Sequence, residues 1–150
     1  MLMQRKNFVV IMAAGSGSRM GASRPKQFLD LGGRMILQRT IEIFMEACPD
    51  ITVVTVLPPD FIDFWRGHCL EQNFICPQIT VPGGITRFHS VRNALQKVPD
   101  GAVVAVHDGV RPLVSVELVR DDHGKLAQYG DLAKTYFVIW TTTTWTLPGN

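Results

Sequence analysis

The sequence predicts an α/β protein: a three-layer α/β/α, Rossmann-like arrangement around a mostly parallel sheet. Three observations carry that expectation. Short continuous apolar runs rich in β-branched residues recur along the chain, stripes of apolar residues at helical spacing fall between them, and the two alternate strictly. Continuous apolar runs suit strands buried on both faces of a parallel sheet. Strict alternation of strand and helix places helices on both of those faces.

The elements follow in order. Residues 9–12, in "FVVIM", form the first expected strand. Ile36, Leu37, Ile41, Phe44 and Met45 then share one helical face. Residues 51–57 are the second long strand, and Phe61, Ile62, Trp65, Cys69 and Leu70 make the next helical stripe. "QITV" at 78–81 is a weaker strand, followed by a sparser stripe of Val91, Leu95 and Val98. The last strong run is 102–106. No internal repeat, low-complexity tract or linker divides the chain, so 1–150 is expected to be one domain.

Composition narrows the function. With 46% apolar and 19% charged residues, the 150-residue chain has the balance of a soluble globular domain. No apolar stretch approaches the roughly 18 residues needed to span a bilayer. The start "MLMQRKN" lacks the apolar segment of a secretory signal, which predicts a cytoplasmic protein and no membrane partner. Cys48, Cys69 and Cys76 are odd in number and match no disulfide or zinc spacing, so they read as reduced, packed thiols. A formal charge of +2 without a basic block argues against nucleic acid, while a small polyanion stays open as a partner.

Open α/β sheets bind ligands beyond the carboxyl ends of their strands. "AAGSGSRMG" stands at such an end, directly after the first strand. Its glycines let backbone N–H groups approach an anion without a Cβ in the way. A phosphate cradle and a plain tight turn are both compatible with that loop alone. The dinucleotide fingerprint is absent, because Met20 stands where G-x-G-x-x-G needs glycine. Arg19 and Lys26 bring two cations within seven residues, suited to gripping a triphosphate or to lying solvated at the surface. "VPGGITRFHSV" exposes backbone again at Gly83 and Gly84, with Thr86 placed to cap the helix holding Ser90. "AVVAVHDGVRP" ends on Asp108, a lone carboxylate suited to Mg²⁺ or to a turn or cap. His107 has no acid or second histidine at metal spacing, which predicts a structural hydrogen-bonding role.

"AAGSGSRMG", "PKQFL", "GGITRFHSV" and "HDGVRPLVS", in this order and spacing, resemble the 2-C-methyl-D-erythritol 4-phosphate cytidylyltransferases of the non-mevalonate isoprenoid pathway. The resemblance covers residues 8–119, leaving 120–150 as an unassigned tail. It implies a nucleotidyltransferase domain that takes CTP and Mg²⁺, passes CMP to the phosphate of methylerythritol phosphate and releases pyrophosphate. It further implies backbone contacts to the nucleotide from Ala13, Ala14, Gly15, Ser16, Gly17 and Ser18. Arg19 and Lys26 would be catalytic, stabilising charge on the α-phosphate. Gly83, Gly84 and Ser90 match the cytosine-binding segment, Asp108 the metal-binding aspartate, and Arg111 a residue near the acceptor phosphate. Such a transfer needs no protein nucleophile, because catalysis is mainly positioning plus charge neutralisation.

Gly109 and Val110 stand where the family commonly has two alanines. Family chains also continue well beyond 150 residues into a homodimerisation arm and further acceptor contacts, neither of which is recognisable here. Two other readings follow from this: a cytidylyltransferase for ribitol 5-phosphate or another polyol phosphate, and a CTP-binding fragment without turnover.

Overall fold

The computed structural model describes residues 5–15 and 24–113. All four expected strands form, with bounds shifted by one or two residues: β1 (Asn7–Met12), β2 (Thr52–Leu57), β3 (Gln78–Pro82) and β4 (Val103–Asp108). Three helices separate them: α1 (Ile36–Ala47), α2 (Ile62–Glu71) and α3 (Arg87–Leu95). Strand order is β3-β2-β1-β4, and all three pairings between these strands are parallel. The chain moves outward from β1 through β2 to β3 and then returns to the other side of β1. Right-handed crossovers therefore put α1 and α2 on one face and α3 on the other.

Packing follows from the two-residue period of the strands. Val9, Ile11, Val53 and Leu57 face the layer of α1 and α2, meeting Leu37, Ile41, Phe44 and Trp65. Val10, Val54, Val56, Val81 and Val106 face the other way, toward Ala94 and the half-buried Val91 and Val98. Val9, Val10 and Ile11 are wholly inaccessible. That two-sided burial explains why β1 reads as a continuous apolar run.

Two helical stripes differ from expectation. Leu70 is 83% exposed, and Trp65 is the fully buried residue of α2. The indole is held by its polar edge as well as its area. Trp65 Nε1 and Thr55 Oγ1 each donate to Gln78 Oε1 at 2.9 Å. Because α2 packs beside β3, the edge strand among the described residues, its far flank meets no further strand there. In α3 the buried positions are Ser90 and Ala94, while Leu95 stands at the surface. Small residues let this helix approach the sheet closely, so a stripe drawn through the larger side chains is displaced by one position.

The three cysteines are free thiols. Cys48 is buried, donating to Asp50 Oδ1 at 3.1 Å and accepting from Asn7 Nδ2 at 3.4 Å. Burial, with Cys69 nearby, pushes the Cys76 thiol up to about 12.

Candidate functional site

Past their carboxyl ends, three strands extend their ladders by one backbone bond each. Ala13 N–H donates to Val56 O at 2.9 Å, Gly83 N–H to Leu57 O at 2.8 Å, and Gly109 N–H to Met12 O at 2.8 Å. These bonds fix the start of three loops on one side of the sheet. Between the loops after β1 and β3 lies a concavity of about 250 Å³, lined by Met12, Ala14, Gly15, Gly84, Arg87 and Ser90 among others.

The glycines are required by closeness. A Cβ on Gly83 would lie 2.4 Å from the Cβ of Ala14, and one on Gly84 would lie 2.4 Å from the Cβ of His89. Both distances are far inside van der Waals contact, so no side chain fits at either position. Ser90 braces this segment, its Oγ accepting from Gly84 N–H at 3.0 Å and donating to Thr86 O at 3.1 Å. Thr86 caps α3 as expected, its hydroxyl accepting from His89 N–H at 3.3 Å. An N-terminal helix turn with its positive dipole end thus borders the concavity.

Gln27, in the 3₁₀ turn Lys26–Phe28, holds the loop after β1. Its buried amide donates to Ala13 O at 2.6 Å and to Gly15 O at 3.0 Å. Ala13 accordingly has both of its backbone groups engaged within the protein, whereas Ala14 and Gly15 line the concavity. Lys26 is tethered to that loop through its neighbour. Arg24 lies with its guanidinium 5.2 Å from the centre of the Phe64 ring.

Asp108 ends β4 with a side chain 21% exposed, and each of its oxygens meets a guanidinium. Arg87 Nη2 lies 2.6 Å from Oδ1, and Arg111 Nε lies 3.1 Å from Oδ2. Since Arg87 also lines the concavity, it joins Asp108 to the loops after β1 and β3. No cluster of three or more His, Cys, Asp or Glu able to hold a metal occurs among the described residues. A lone carboxylate is a poor all-protein cage. It does fit Mg²⁺, which keeps several waters and is usually held by one or two carboxylates plus substrate phosphates.

His107 departs from the hydrogen-bonding role expected of it. Neither ring nitrogen has a hydrogen-bond partner among the described residues, and the ring packs at a steep angle against Phe44, with centroids 5.1 Å apart. Burial pushes its pKa down, so the neutral imidazole is favoured.

Of the predicted site residues, Ala14, Gly15, Gly84 and Ser90 line one concavity; Ala13 and Gly83 stand beside it, bonded into the sheet ladder, and Asp108 and Arg111 are linked to it through Arg87. Ser16, Gly17, Ser18 and Arg19 lie outside the described residues. Sequence reasoning missed Gln27 and Arg87. The signal for Gln27 was a polar side chain between Pro25 and Phe28, both buried; for Arg87 it was a cation directly after a capping threonine.

A doubly wound parallel sheet with glycine-lined loops, a helix N-terminus and a carboxylate at one end defines a Rossmann-like α/β domain, a class that binds its ligands beyond the carboxyl ends of the strands. Comparison with known proteins narrows the class. The family model for IspD, 2-C-methyl-D-erythritol 4-phosphate cytidylyltransferase, matches residues 7–135, and the chain belongs to this family. That match runs past residue 119, where the resemblance read from the sequence ends. A 2-C-methyl-D-erythritol 4-phosphate cytidylyltransferase of Porphyromonas gingivalis is 50% identical over 118 residues, covering 78% of this chain and 52% of the relative. The protein of the same name from Bacteroides thetaiotaomicron is 44% identical over 115 residues, 77% of this chain and 52% of the relative. Among solved structures, the 4-diphosphocytidyl-2C-methyl-D-erythritol synthase of Anaerococcus prevotii superposes with a TM-score of 0.60 at 26% identity, covering 74% of this chain and 46% of that one. The chain spans about half the length of the curated relatives it matches.

Proposed function

We propose that the crevice binds CTP with Mg²⁺ and serves transfer of CMP to 2-C-methyl-D-erythritol 4-phosphate, giving 4-diphosphocytidyl-2-C-methyl-D-erythritol and pyrophosphate for isoprenoid synthesis. The observation that carries this reading is the approach of Gly83 to Ala14, which seats two glycine-bearing loops against each other inside the family-matched segment. In this reading Gly83 and Gly84, braced by Ser90, present backbone to the cytosine edge. The loop of Ala14 to Ser18 faces the phosphates. Lys26 and Arg19 stabilise charge that develops on the α-phosphate as an acceptor oxygen attacks in line.

Asp108 would hold the divalent cation, which when bound neutralises and orients the phosphates. Arg111, tied to Asp108, would in this reading meet the acceptor phosphate. The reaction needs no protein nucleophile, in keeping with the inward-packed His107. Among the described residues no helix is long and apolar enough to cross a membrane. Three free thiols suit the reducing cytoplasm in which we place the reaction.

The test is pyrophosphate release from CTP with methylerythritol phosphate and with ribitol 5-phosphate in parallel. Release with the first acceptor alone supports the proposal. Release with ribitol 5-phosphate alone assigns the other polyol acceptor, and CTP binding without release marks a nucleotide-binding unit.

A further inference from the structure

We propose that Arg87 and the divalent cation compete for the Asp108 carboxylate, so that Asp108 takes up a cation only when nucleotide phosphates draw Arg87 away. The inference rests on the nucleotide reading above and adds an order of events to it. Both oxygens of Asp108 already face guanidiniums, at 2.6 Å and 3.1 Å. One carboxylate between two guanidiniums carries a net positive charge. A free divalent cation approaching that trio is repelled, whereas a triphosphate is attracted.

The two arginines are not equivalent. Arg111 follows Asp108 by three residues on the same loop and is 23% exposed, which suits a fixed brace. Arg87 comes from α3, across the concavity, and is 43% exposed. It also lines the concavity itself, so the same residue borders the proposed phosphate site and holds the carboxylate. Arginine pairs with phosphate at least as well as with carboxylate, through the same planar fork. Exchange of Arg87 from Asp108 to a phosphate therefore retains a charge-assisted pair for the guanidinium and releases Oδ1 for the metal. Arg87 is in this sense a positioning residue that couples nucleotide arrival to metal uptake.

Mn²⁺ binding followed by electron paramagnetic resonance, together with CTP binding followed by calorimetry in EDTA, tests the exchange. In the unaltered chain Mn²⁺ should bind weakly alone and at least about tenfold more tightly with CTP present. Arg87→Gln should raise Mn²⁺ affinity in the absence of nucleotide by on the order of tenfold and weaken CTP binding in EDTA. Asp108→Asn should abolish the gain in Mn²⁺ binding that Arg87→Gln confers, while CTP binding in EDTA persists. Arg87→Lys, which keeps the charge, should leave nucleotide-free Mn²⁺ binding weak. Unchanged nucleotide-free Mn²⁺ affinity in Arg87→Gln would show that Arg87 does not hold the cation off Asp108 and would overturn the proposal. Equal Mn²⁺ binding by the unaltered chain with and without CTP would overturn it too. Absence of any CTP binding would instead strike the nucleotide reading itself, and the nucleotide-free Mn²⁺ comparison would still decide the competition.

Discussion

The side-chain amide of Gln27 donates to the carbonyl of Ala13 at 2.6 Å, joining the 3₁₀ turn that carries Lys26 to the loop that leaves β1. The same amide reaches Gly15 at 3.0 Å. One buried polar group thus holds two elements of the proposed phosphate site in register.

Gln27→Met keeps the side chain's length and removes the donor. The variant should lose about 1–3 kcal/mol of stability, the cost of leaving a buried acceptor unpaired, and should bind CTP more weakly. Lys26→Met, by contrast, should leave stability within about 0.5 kcal/mol, as surface substitutions usually do. Urea denaturation of both variants checks the contrast, and equal losses would show that Gln27 has no special hold on the loop.

Gly83→Ala places a methyl group 2.4 Å from the Cβ of Ala14, and the loops must separate. Overpacking of this kind costs about 1–3 kcal/mol. Because the strain falls between the loops after β1 and β3, CTP affinity should fall along with the denaturation midpoint. A variant of normal stability that has lost CTP binding would mean that the methyl group blocks the ligand and leaves the loops in place.

Trp65 joins α2 to the sheet through both area and a hydrogen bond to Gln78. Trp65→Ala should cost about 3–5 kcal/mol, typical of deleting a buried aromatic side chain. Against total stabilities of about 5–15 kcal/mol for domains, that is a large share. Trp65→Phe retains most of the area and should lose less than half as much. Equal losses in the two variants, read from urea midpoints, would place the stabilisation in the hydrogen bond.

Stability should also fall with acidity below the ordinary histidine range. Burial lowers the pKa of both His107 and His68 from the usual 6.5. Above that value neither state binds the proton, and the buried neutral rings carry no penalty. As pH drops below it, the unfolded chain is protonated before the folded one, so unfolding is favoured until the folded pKa is passed. Urea midpoints at about pH 7.5 and about pH 5.5 should show a smaller decline in His107→Leu than in the unaltered chain. An identical decline in both would assign the pH dependence to other groups.

Strands β1 and β2 were legible because they are buried on both faces, which forces uninterrupted runs such as that around Val10, whereas the edge strand β3, with one fully buried position, read more weakly. The glycine loops were legible from their position at strand ends. Helix faces were less so, because α3 packs through Ser90 and Ala94, whose small size is the reason for the fit and hides it from a search for large apolar residues. Gln27 and Arg87 escaped for a different reason. Their importance lies in partners distant along the chain: Ala13 is 14 residues from Gln27, and Asp108 is 21 from Arg87. Nothing local announces such bonds. His107, conversely, reads as polar but is packed as a ring against Phe44.

The central claim is that the concavity between the loops after β1 and β3 recognises a cytosine nucleotide with its metal. Calorimetric titration of the chain with CTP, UTP, ATP and GTP, each with Mg²⁺ and again with EDTA, tests it most directly. The account predicts that CTP binds at least about tenfold more tightly than the other three, a difference that a hydrogen-bonding base pocket supplies readily, and that EDTA weakens it. Equal affinity for all four nucleotides would contradict the assignment of Gly83, Gly84 and Ser90 to base recognition.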